Sequence, residues 1–124
     1  MKVKALVVVG ALLLSTAALA GTGKNILGNI QVKESPEATL ITIDGSTTPT
    51  FSVFRLADPP RLFVDIAGGD ISKIAKTVEV FNGVVAQVGT IAFGKGGVET
   101  ARIIVTFERE AAYDVQSRGD QILI

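Results

Sequence analysis

Two hydrophobic patterns divide the chain. Ala5 to Leu14 is an unbroken apolar run, with Lys2 and Lys4 before it and Ser15, Thr16 and the small-residue box Ala18-Leu19-Ala20 after it. From Asn29 onward, apolar and polar positions alternate in short runs, the period of strands rather than helices. The first pattern predicts an export signal over residues 1–20, cleaved before Gly21. The run is shorter than the roughly 20 apolar residues that a spanning helix needs, so any membrane association of the processed chain is expected to be indirect. With no cysteine, the processed end cannot be lipid-anchored.

The second pattern predicts a flexible leader over 21–28 and one domain over 29–124. Asn29 to Lys33 and Thr39 to Asp44 (TLITID) read as a hairpin around the turn residues Ser35-Pro36-Glu37. Thr50 to Leu56 (TFSVFRL) reads as a strand stopped by Asp58-Pro59-Pro60. Arg61 to Ala67 (RLFVDIA) has Leu62, Val64 and Ile66 on one face, with Arg61, Phe63 and Asp65 on the other. One helical turn is expected over 71–76, where Ile71, Ile74 and Ala75 share a helical face. Thr77 to Val80, Val84 to Phe93 and Thr100 to Phe107 extend the set of strands, with a tight turn at Asn82-Gly83. Gly94, Lys95, Gly96 and Gly97 read as a flexible loop, and Arg118-Gly119-Asp120 as the turn of a last hairpin. Many short strands with glycine and proline turns predict an all-β domain, a sandwich or an open barrel.

Composition removes several functions. No histidine or cysteine is present, which takes away the usual zinc ligands and the serine–histidine pair of common hydrolases. The acidic residues are spread singly along the chain, so neither a metal nor another cofactor is expected. Beyond residue 20 the acidic residues outnumber the basic ones, which gives no basic field for nucleic acid. Gly89 to Lys95 has the spacing of a phosphate-binding loop, but Gly96 stands where a magnesium-holding hydroxyl belongs. Arg118-Gly119-Asp120 spells an adhesion tripeptide, yet sits where a hairpin needs a glycine. No catalytic constellation results, and the domain is expected not to be an enzyme.

Thr50-Phe51-Ser52-Val53-Phe54-Arg55-Leu56 followed by Pro60-Arg61-Leu62-Phe63-Val64-Asp65-Ile66 resembles the AMIN domain family. Arg102-Ile103-Ile104-Val105-Thr106-Phe107 and Tyr113-Asp114-Val115 continue the resemblance in the family's order, over about Asn29 to Ile124. The stretch from Thr50 to Asp70 is most similar to the N-terminal region of type IV pilus secretins. The resemblance implies a small β-sandwich of two sheets in the periplasm. It also implies a non-catalytic module that targets cell-wall amidases or secretins to peptidoglycan and to envelope or pilus-assembly proteins. An alternative is a module that docks to an envelope protein without touching peptidoglycan, through an exposed strand edge. One departure stands out: Val88-Gly89 occupies the place of an Ile-Arg pair common in the family.

Phe54, Arg55, Arg61 and Arg102 are the candidate contacts to peptidoglycan or a partner, because planar guanidinium donors suit carboxylates and exposed aromatics suit binding surfaces. Asp65 and Arg102 are also candidates for a structural ion pair between strands.

Overall fold

A computed structural model describes residues 23–95 and 98–124. The alternating runs become strands in chain order: β1 (Asn25–Ile26), β2 (Asn29–Glu34), β3 (Thr39–Asp44), β4 (Phe51–Leu56), β5 (Arg61–Ala67) and β6 (Gly69–Asp70). They continue as β7 (Thr77–Glu79), β8 (Val85–Lys95), β9 (Val98–Phe107), β10 (Gln116–Arg118) and β11 (Gln121–Leu123). The export signal expected over residues 1–20 lies outside the described residues.

The strands form three sheets, not the expected two. A five-stranded sheet runs β4-β5-β9-β8-β7, a four-stranded sheet runs β10-β11-β3-β2, and β1 pairs with β6 in a parallel two-stranded sheet. The two larger sheets contribute to one hydrophobic cluster. Leu62, Val64 and Ile66 of β5, with Ala101, Ile103 and Val105 of β9, are fully buried against Ile41, Ile43 and Ile122 of the other sheet. Each fully buried aliphatic side chain of this size stabilises the fold by about 1.5–3 kcal/mol. Every member of the buried cluster lies between Leu27 and Ile122, so residues 21–124 carry the whole described core.

The leader is not loose over its second half. Asn25 and Leu27 are buried, and the Asn25 and Leu27 amides donate to the carbonyls of Gly68 and Asp70. Asn25 Oδ1 accepts from the amides of Ser46 and Thr47, while Nδ2 donates to the Thr47 carbonyl. Gly45 packs against that side chain so closely that a Cβ there would overlap Asn25 Oδ1.

Residues 71–76 form no helical turn beyond one hydrogen bond, from the Ile74 amide to the Ile71 carbonyl (3.2 Å). The carbonyls needed to continue a helix are taken by β8: the Thr90 amide donates to Lys76 at 2.7 Å, and Thr90 Oγ1 to Ala75 at 3.3 Å. The flexible loop expected over 94–97 does not include its first two residues. Gly94 and Lys95 are ladder residues, paired with Glu99 and Val98, whereas Gly96 and Gly97 lie outside the described residues.

Candidate functional site

Side chains on β5 and β9 alternate between the core and the opposite face of the five-stranded sheet. Arg61, Phe63 and Asp65 therefore share that outer face with Arg102, Ile104 and Thr106. Register extends each rung. Phe54 lies opposite Phe63, then Ile104, then Gly89; Ser52 lies opposite Asp65, then Arg102, then Ile91. Phe93 follows on β8, opposite Thr100. Phe54, Ile91 and Phe93 are each more than two-fifths exposed. Together they make a flat surface, aromatic and aliphatic, crossed by two arginines.

Arg102 is the fixed member. Its Nε and Nη2 donate to Asp65 Oδ1 and Oδ2 at 2.8 and 2.9 Å, the planar two-bond geometry of a strong pair. Its guanidinium carbon lies 4.5 Å from the ring centre of Phe63 and 5.0 Å from that of Phe93. The hydrogen bonds to Asp65 are the main reason its pKa is raised; partial burial opposes them and the carboxylate's charge adds to them. Arg61 is the freer member. Its carbon lies 5.7 Å from the Phe63 ring centre, and its Nε donates to the Pro59 carbonyl at 3.3 Å. Among the described residues its two terminal nitrogens make no hydrogen bond and no ion pair, so they are available to an anionic ligand.

The face thus gathers four of the expected residues: Phe54, Arg61, Arg102 and Asp65. Arg55 is not among them. It sits on the core side of β4 at the sheet's rim, where it pairs with Glu110, donates to the Ala111 carbonyl and lies 5.2 Å from the Tyr113 ring centre. These contacts join it to Glu110, Ala111 and Tyr113 of the segment after β9. Ile91 and Phe93 join the face without being candidates from the sequence, although the alternation in Thr90-Ile-Ala-Phe93 carries the signal.

A cleft of about 960 Å³ opens elsewhere, between the β2–β3 turn and residues 107–116. Leu40, Phe107 and Ile124 are among its apolar lining residues. Its rim sets Glu34, Glu37 and Asp114 against Arg109, which already donates to the Gly83 carbonyl. That balance disfavours an anionic ligand, and the flat arginine-bearing face is the better candidate for one. No group of three or more metal-ligating side chains forms among the described residues.

The family model for the AMIN domain matches residues 29–124, from the first residue of β2 onward. The chain belongs to the AMIN domain family. No curated protein matches it. AMIN domains are non-catalytic peptidoglycan-binding modules, typically periplasmic, and this one is not an enzyme. The strand β1 and the buried Asn25 and Leu27 lie before the matched segment.

Proposed function

We propose that the chain is exported by residues 1–20 and works in the periplasm as a peptidoglycan-binding module, with the outer face of the five-stranded sheet as its wall contact. In this reading the four- and five-stranded sheets act as a sandwich that holds the face rigid. Phe54, Phe63 and Phe93 offer ring faces to sugar rings, and Arg61 offers free donors to the carboxylates of the stem peptides. Arg102, held by Asp65, keeps both neighbouring rings in place. The module's expected setting is type IV pilus secretin assembly, which rests on the likeness of Thr50 to Asp70 to that group. The observation that carries the reading is the coincidence of an unpaired guanidinium with exposed aromatic rings on one flat face.

Co-sedimentation of residues 21–124 with purified sacculi tests it. Saturable binding is expected, weakened by salt and reduced roughly tenfold by Arg61→Ala, the loss of one charge-assisted contact. Phe54→Ala is expected to weaken binding as well, with the unfolding midpoint unchanged in both variants. Folded protein that stays in the supernatant would overturn the reading and leave docking to an envelope protein as the function.

A further inference from the structure

We propose that β4 is a homotypic interface: two copies of this chain pair through their β4 strands, antiparallel, about a two-fold axis at Val53. This proposal concerns assembly and does not rest on peptidoglycan binding. Among the described residues β4 is an edge strand of the five-stranded sheet, flanked by β5 alone. The Ala67 amide donates to the Thr50 carbonyl, so alternation turns the amides and carbonyls of Ser52, Phe54 and Leu56 toward β5. Those of Phe51, Val53 and Arg55 point outward and make no backbone hydrogen bond among the described residues.

The other sheet edges carry ordinary protection. β7 and β10 are three residues long, and β2 ends in Lys33-Glu34. β4 has six residues in unbroken register with β5, no proline and no bulge. Its single charge, Arg55, is already paired with Glu110.

The strand's own sequence selects the partner and the register. An axis at Val53 joins each outward group of Phe51, Val53 and Arg55 to one of Arg55, Val53 and Phe51 in the second copy. On the core side, each Phe51 then meets the other copy's Arg55, a cation and a ring. On the outer face, the two Phe54 side chains become diagonal neighbours about 7–8 Å apart, within reach of each other. Phe54 is half exposed in the single chain. Shifting the axis to Arg55 sets two arginines directly opposite one another. Shifting it to Phe51 puts Pro49, which has no amide hydrogen, where a donor is needed. An axis at Ser52 again sets Pro49 opposite Arg55, and one at Phe54 sets Phe51 opposite Ala57, past the end of β4, leaving two outward pairs within the strands. Val53 alone avoids these faults and keeps three pairs. The product is one continuous ten-stranded sheet.

Cysteine mapping tests this, because the chain contains no cysteine of its own. In residues 21–124, Val53→Cys places two Cα atoms about 5.5 Å apart across the axis, within disulfide range. Phe51→Cys places its two copies about 13 Å apart. Under mild oxidation, Val53→Cys is expected to form covalent dimer roughly tenfold faster than Phe51→Cys alone. A mixture of Phe51→Cys and Arg55→Cys is expected to cross-link readily. Sedimentation equilibrium of the unmodified chain should show a concentration-dependent dimer, lost in Val53→Pro, which removes an outward donor without touching the β5 ladder. A monomer at all concentrations, or equal cross-linking of Val53→Cys and Phe51→Cys, would overturn the proposal. Equal cross-linking with a dimer still present would assign the dimer to another surface.

Discussion

Asp65 and Arg102 stand directly opposite each other on β5 and β9 and are joined by two hydrogen bonds of 2.8 and 2.9 Å. Both side chains are more than two-thirds buried, so water only partly replaces the partner if one of them is removed. Asp65→Ala is expected to destabilise the domain by about 1–2 kcal/mol, a charged hydrogen-bonded pair on a half-covered face. Denaturant unfolding measures it. An unchanged midpoint would show that the pair contributes nothing to the fold.

The N-terminal strand offers a second stability test. Asn25→Ala removes three hydrogen bonds to Ser46 and Thr47 and leaves a void beside Gly45. A loss of about 1–3 kcal/mol is expected. Amide exchange should show the β1–β6 pairing opening first, because that ladder is two residues long on each strand.

Asp70 links the same region to pH. Its pKa is lowered, first by the hydrogen bond from the Ser72 amide and then by the Ser72 side chain, with Lys24 and Lys73 adding to the effect and desolvation opposing it. A carboxyl held below its unfolded value contributes stability above the unfolded pKa and loses it as pH falls through the folded one. The difference in melting temperature between the unmodified chain and Asp70→Asn is therefore expected to be constant near neutrality and to shrink below about pH 4. A difference that grows on acidification would contradict this assignment.

Gly89 offers a gain-of-function test for the proposed wall contact. It lies on the outer face beside Ile104, and a Cβ there meets only the Lys76 carbonyl at an ordinary 3.7 Å. Gly89→Arg is therefore expected to fold normally and to bind sacculi several-fold more tightly, since one further charge-assisted contact is worth about 1.5–3 kcal/mol before ordering costs. Binding that is unaffected by a second guanidinium here would place the wall contact on another surface.

Local alternation was enough to place β2, β3, β4, β5 and β9 and the faces of β5, because side chains two apart on a strand share an environment. Leu62, Val64 and Ile66 could turn inward only if Arg61, Phe63 and Asp65 turned outward. The absence of histidine and cysteine and the family's motif order were equally legible, being properties of composition and spacing alone. What the tertiary structure decided depends on partners distant in sequence. Asn25 looks like a residue of a loose leader until Ser46 and Thr47 meet its amide, and nothing local to Arg55 announces Glu110 and Tyr113 beside it. Ile71 to Lys76 has a helical apolar spacing, but Thr90 captures its carbonyls. The placement of Phe93 beside Arg102 and Phe63 likewise follows from the register of β8 on β9. For Asn25, Arg55 and Thr90 the deciding interaction joins residues at least 14 positions apart, and a local pattern carries no information about which distant donor or ring will arrive.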